Sequence, residues 1–187
     1  NNENNPKWVA SDLIAQAEHD ENAQSILISN SINFVNKVLN NIKLLLSDLP
    51  KKSTIKKSLL KNGIAIIIDD IIKSYEIINI IAPEHLHLQV RNSKKILKKI
   101  NNAGSIFIGE YACEAFGDYI IGTNHILPTL GSAKFSSGLG VIDFMKRKSI
   151  IEMGKYSYNK LSKDAENMAE VEKLDAHKLS VRIRQNK

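Results

Sequence analysis

Cysteine is almost absent from this chain. Cys113 is the single one among 187 residues, so no disulfide can form within the chain and no cage of thiolates can hold a metal. That usage fits a reducing compartment, and a cytoplasmic location is expected. Long apolar runs are missing as well. None approaches the ~20 residues a membrane helix needs, and no secretory signal is expected ahead of the first helix. Aromatic residues are 6% of the chain. None is interleaved with the two lysine clusters, Lys51, Lys52, Lys56, Lys57 and Lys61, then Lys94, Lys95, Lys98 and Lys99, as a base-stacking surface would require. Ile55, Leu59 and Leu60 lie among the first cluster, and Ile96, Leu97 and Ile100 among the second, at helical spacing. The net charge of +6 therefore reads as solvated faces of amphipathic helices. No nucleic-acid partner and no membrane partner is expected. GxGxxG, P-loop and HExxH patterns do not occur, which leaves the chain without a nucleotide fingerprint or a closely spaced zinc motif.

What is present is an alternation of short apolar runs and helical patterns. Apolar residues are 43% of the total, enough for a globular core, and the length suits one domain with a small appendage. The spacing predicts helices over residues 8–18, from Ser31 to Pro50, and over 53–60, 71–80, 93–100, 156–172 and 177–184. Strands are predicted over 25–28, 63–68, 85–90, 105–108 and 146–152. The run Gly63-Ile64-Ala65-Ile66-Ile67-Ile68 is continuous and rich in β-branched residues, which suits a strand buried on both faces. The β-α-β-α-β order predicts an α/β fold with a parallel sheet. The Gly/Ser-rich segment 134–140 marks a boundary, giving a body over 1–137 and a mainly helical tail over 138–187. That tail is below the ~70–80 residues at which a core becomes self-sufficient, so it is expected to lean on its own body or on a partner.

The chemistry-bearing residues lie in four places. Gly117 to Thr129, rich in Gly, Asn, Asp and Pro after an apolar run, reads as a loop at a strand end, where open α/β sheets place ligands. It brings Asp118, Asn124 and His125; a plain surface turn with a capping Asp is the other reading. Gln16 and His19, three apart, would share a helix face. With Asp118 and His177 they form an N/O donor set suited to a divalent ion such as zinc. Glu84-His85 places an acid beside an imidazole that titrates near neutrality, suited to proton transfer; a charged turn is the plainer alternative. In a strand His87 would face the same way as His85.

Several blocks carry a resemblance. They are Gln16-Ala17-Glu18-His19-Asp20, Pro83-Glu84-His85-Leu86, Ala103 to Gly109, Gly117-Asp118-Tyr119 with Gly122-Thr123-Asn124-His125 through Thr129, and Asp175-Ala176-His177-Lys178. In this order they closely resemble the histidinol dehydrogenase family, over nearly the whole chain. Family members are more than twice as long, and the asparagine-rich start without an initiator Met reads as mid-chain sequence. The resemblance implies a C-terminal part: half of an incomplete Rossmann-like domain with a parallel sheet, plus a tail exchanged within a homodimer. It implies NAD-dependent oxidation of L-histidinol to L-histidine through histidinaldehyde. Zinc, one per subunit, would be bound by Gln16, His19, Asp118 and His177. These residues, with His85 and Glu172, would border the substrate. His85 would be the acid–base residue, and Glu84 would activate water. The nicotinamide-binding part and a substrate-contacting serine would lie upstream, so no cofactor-binding residue is assigned here, and the chain alone is expected to be inactive. His125 is expected to be structural or supporting. Ala112-Cys113-Glu114 departs from a Ser-Pro-Glu-like family segment; the loss of Pro is expected to loosen the turn and leave the ligands untouched. Read without the resemblance, a basic α/β binding module and a metal-dependent hydrolase both stay open.

Overall fold

In a computed structural model describing residues 3–185, the first helix is α1 (Pro6–Ala17). The Asn5 side chain accepts the Lys7 N–H, and Pro6 occupies the first turn, where its missing N–H is not needed. Val9, Ala10, Ile14 and Ala17 form its buried stripe. Helix α2 (Ile32–Leu45) starts at Ser31, whose hydroxyl accepts the Phe34 N–H at 3.2 Å. It buries Phe34, Val35, Val38 and Ile42. After α3 (Lys52–Asn62), strand β2 (Ile64–Ile67) pairs in parallel with β1 (Ile26–Ser29), in register from Ile26↔Ile64 to Ser29↔Ile67. Residues of α1, α2 and α3, Ile55 among them, share one hydrophobic core.

The second half of this unit repeats the scheme. Helix α4 (Ser74–Ile81) ends at Ala82 in the left-handed conformation. Strand β3 (His85–Leu88), helix α5 (Ser93–Leu97) and strand β4 (Ser105–Ile108) follow. β3 and β4 are parallel, from His85↔Ser105 to Leu88↔Ile108. Ile78, Leu88 and Ile96 form a second core cluster. Helix α6 (Glu114–Tyr119) comes next. The chain then runs mainly through turns to the end of the first unit, Asn1–Asp143. The second unit, Phe144–Lys187, holds α7 (Lys155–Val171) and α8 (Asp175–Arg182). The division falls between Asp143 and Phe144, where composition alone places it at 137 and 138. Within this unit Glu166 is buried and takes Arg182 at 3.0 Å and the Gln185 amide at 2.7 Å. No helix among the described residues is long and apolar enough to cross a membrane.

Five expectations change. The described strands form two separate two-stranded sheets rather than one. β2 is not buried on both faces: Ile64 and Ile67 are 45% and 44% exposed, because β1 is its only strand neighbour among the described residues. α5 stops at Leu97 rather than residue 100. Asn79 competes there, donating to the Lys99 carbonyl and accepting the Asn101 and Asn102 N–H groups. Residues 146–152 form no strand, since the unit around them is helical and offers no edge to pair with. Finally, residues 117–119 are helix rather than loop. Gly117 is there for clearance, because a Cβ on it would meet the Phe107 ring at 2.7 Å. Gly122, with φ +88°, does use the freedom of glycine.

Candidate functional site

The site is assembled where three parts of the first unit meet: the end of α1, the start of β3 and the first turns of α6. Glu84 enters as the residue before β3. Its carbonyl accepts the Ser105 N–H at 2.8 Å and lies so close to Gly104 that a Cβ there would be 2.6 Å away. Glycine at 104 is thus required for β4 to hold the Glu84-His85 backbone. His85 follows, 15% exposed, its ring 5.9 Å from that of Phe107. Phe107 in turn lies against Gly117 of α6, so the tight β4–α6 contact is what lets α6 bring its acids to His85.

Those acids are Glu114 and Asp118, four apart and therefore on one face of α6. Glu114 Oε1 lies 3.5 Å from His85 Nδ1, and Asp118 Oδ1 lies 3.7 Å from His85 Nε2. Both distances exceed a good hydrogen bond, and both buried ring nitrogens have no hydrogen-bond partner in the protein. His19 Nε2 is 3.9 Å from the same Glu114 oxygen. Burial lowers the His85 pKa below the ordinary imidazole value; the charges of Glu84 and Asp118 oppose this, and His19 adds to it. The lowered value favours the neutral ring, the form that a proton acceptor needs. Burial pushes Glu114 the other way, up to about 7, helped by the negative charges of Asp118, Glu84 and Asp12.

A cavity of about 690 Å³ opens beside these groups, lined among others by Gln16, Glu84, His85 and Glu114. Its size suits a small polar metabolite. His19, Glu114 and Asp118 each offer a ligand atom, all within 4.8 Å of one another. Two ligands of one tetrahedral zinc stand about 3.4 Å apart, so the trio would close by roughly an ångström around an ion. Imidazole and carboxylate donors fit zinc chemically, and the unsatisfied histidine nitrogens beside them mark a site built to receive something polar.

His19, His85 and Asp118 are thus gathered within a few ångströms, with Gln16 and Glu84 on the same cavity. His19 does not share a helix face with Gln16. α1 ends at Ala17, and Asp20 turns the chain by accepting the Asn22 N–H. Glu172 caps the end of α7 and His177 lies in α8, both exposed and both in the second unit. His125 is exposed. Its neighbour Asn124 shapes the turn, donating to the Leu139 carbonyl and accepting the Ile126 N–H. Glu114, which segment 112–114 keeps from the family's Ser-Pro-Glu-like pattern, is the site residue that the sequence analysis leaves without a role: it sits between His19 and His85. Its i, i+4 relation to Asp118 is the sequence signal for it, legible once residues 114–119 are read as helix.

A family model described as histidinol dehydrogenase matches residues 1–185. Histidinol dehydrogenase of Aquifex aeolicus is 44% identical over 182 residues, 97% of this chain and 43% of that protein. That of Hydrogenovibrio crunogenus is 46% identical over 180 residues, 96% of this chain and 42% of that protein. The crystal structure of histidinol dehydrogenase from Elizabethkingia anophelis superposes with a TM-score of 0.92 at 39% identity, over 98% of this chain and 42% of that one. The chain therefore spans less than half the length of these relatives. With an α/β fold shared at that level and the match running through every element that builds the site, the chain belongs to the histidinol dehydrogenase family.

Proposed function

We propose that the protein oxidises L-histidinol to L-histidine through histidinaldehyde, with NAD as hydride acceptor, as the last step of histidine biosynthesis in the cytoplasm. The observation that carries this reading is the buried His85, its ring nitrogens unpartnered, held between Glu114 and Asp118 beside a cavity that Glu84 also lines. An alcohol dehydrogenation needs a base at the hydroxyl, and His85 offers an unpartnered ring nitrogen that takes the alcohol proton while the hydride leaves the carbinol carbon. The aldehyde must then be hydrated. The Glu84 carboxylate takes a proton from water as the oxygen bonds to the carbonyl carbon. His85 returns its first proton to the aldehyde oxygen, completing the hydrate, and then accepts one hydroxyl proton of the hydrate as the second hydride leaves; the carboxylic acid so formed gives its remaining proton to solvent.

Gln16, His19, Asp118 and His177 are the proposed zinc ligands, with Glu114 beside them, and Glu172 joins them as a substrate contact. Zinc supplies a fixed positive template for the substrate's nitrogen donors. None of the chain's residues is assigned to NAD, since the Gly-rich turn that cradles a dinucleotide does not occur in this sequence.

The first unit is read as half of an incomplete Rossmann-like domain. The second unit is read as a tail exchanged with another copy in a homodimer. α7 buries only Ser162, Glu166 and Ala169, and α8 buries nothing, whereas Leu179 and Ile183 lie open. Such a unit gains little from its own core, and exchange is a low-cost route to a dimer. The test is NAD reduction by the full-length protein with histidinol, after zinc content is measured. Two NAD reduced per histidine formed, with stoichiometric zinc, is expected; zinc-replete protein that reduces no NAD overturns the reading.

A further inference from the structure

His87 shares the side of β3 that carries His85, two residues further on. Its two ring nitrogens meet different elements. Nδ1 lies 3.3 Å from Asp12 Oδ2 on α1. Nε2 lies 2.7 Å from the Gly109 carbonyl oxygen, just past β4. Gln89 donates its amide proton to the same Asp12 oxygen at 3.0 Å, closer than its 3.2 Å approach to His87 Nδ1. An ionised carboxylate and a carbonyl can only accept. A neutral imidazole has one N–H, so it would turn a bare lone pair on one of them. With a proton on each nitrogen, both contacts become charge-assisted hydrogen bonds, and the one to Asp12 is an ion pair as well.

We propose that His87 is an imidazolium clamp that ties α1 to β3 and so keeps Gln16 and the turn of His19 in place opposite His85. Asp12 stands one helical turn before Gln16, so a bond from Asp12 to β3 fixes the rotation of the helix that carries Gln16. His87 and Asp12 are positioning residues here, acting through Gln16, His19 and His85, and their catalytic effect rests on the histidinol-oxidising reading above.

The charged and titratable groups around His87 are Asp12 from α1, Glu114 from α6 and His85 on its own strand, with the Phe107 ring 6.3 Å away. Burial works against the cation. The hydrogen bonds to Asp12 and Gly109, with the charges of Asp12 and Glu114, more than offset it and hold the His87 pKa above 6.5. The clamp is therefore whole below pH 6.5 and opens as pH rises through the raised value.

The test uses the full-length protein with ¹⁵N-labelled histidine, followed by NMR across pH. The His87 ring signals are identified by their loss in His87→Gln. More than half of His87 carrying protons on both nitrogens at pH 6.5 is expected, with the midpoint moving down in Asp12→Asn, which keeps the acceptor and removes the charge. A single protonated nitrogen at pH 6.5, or an unmoved midpoint in Asp12→Asn, overturns the clamp. In kinetics, Asp12→Asn should shift the alkaline fall of kcat to lower pH, and His87→Phe should lose up to about 10²-fold in kcat, the scale of an ångström-level misplacement. A wild-type pH profile in Asp12→Asn overturns the positioning role. If the wild-type protein never oxidises histidinol, the proposed function fails, while the NMR midpoint still decides the clamp.

Discussion

Replacing Glu114 by Gln keeps the shape of the side chain and removes its charge. The carboxyl is 15% exposed, and its pKa rises from 4.5 to about 7, first through burial and then through the charges of Asp118, Glu84 and Asp12. A folded pKa above the unfolded one means a stabilising contribution that is whole below pH 4.5 and lost as pH rises through about 7. A displacement of about 2.5 pH units, at about 1.4 kcal/mol each, sets a ceiling near 3.5 kcal/mol, and residual solvent contact brings the expected value to about 2 kcal/mol. Gln does not titrate and so escapes this loss. Urea unfolding of the protein stripped of metal by a chelator should therefore show little difference between the two forms at pH 4. At pH 8 the Glu114→Gln midpoint should lie higher by about 1 M, for a urea slope of 1–3 kcal/mol per molar. Adding zinc should shrink or reverse the gain, because the carboxylate then faces a cation. A Glu114→Gln protein no more stable than wild type at pH 8 in chelator would show that Glu114 is not held against its charge, and the account of the α6 acids would fail.

Three further predictions concern the same site. In the full-length protein, Glu84→Gln should slow the aldehyde step by ~10²–10⁴ while sparing the alcohol step, and His85→Asn should slow the alcohol step or both. Rates with histidinol and histidinaldehyde measured separately check this, and equal losses on both substrates for Glu84→Gln remove its role. If the tail is exchanged in a homodimer as proposed, Asp118→Ala and His177→Ala, each inactive alone, should regain roughly a quarter of wild-type activity when unfolded and refolded together, because half of such dimers would mix and each mixed one would have one intact site; a dead mixture beside active refolded controls places His177 in its own subunit's site. Gly117→Ala drives a Cβ into the Phe107 ring at 2.7 Å, so it should destabilise the protein by about 1–3 kcal/mol and weaken zinc binding, read by denaturation and by metal titration.

Local order was written in the chain wherever a short pattern decides it. Ser31 three residues before Phe34 starts α2, the β-branched run at 64–67 forms β2, and Ser105 to Ile108 forms β4, because capping and periodicity act over a few residues. The site was legible only as separate pieces. Nothing in the spacing of residues 19, 85 and 118 says that they meet; the resemblance to a known family supplied that reading, and the contacts come from tertiary structure. Three features needed the fold outright. Helix α6 exists because Gly117 fits under Phe107, a contact ten residues apart along the chain, whereas its local sequence reads as a loop. Glu114 belongs to the site because that helix turns it toward His85. Asp12 meets His87 only because α1 lies across β3. The sequence by itself determined which segments coil or extend and which side chains can carry protons or metal. Their mutual distances, and with them the shifted pKa values of His85, His87 and Glu114, depend on burial and on neighbours distant in the chain, which only the packed structure decides.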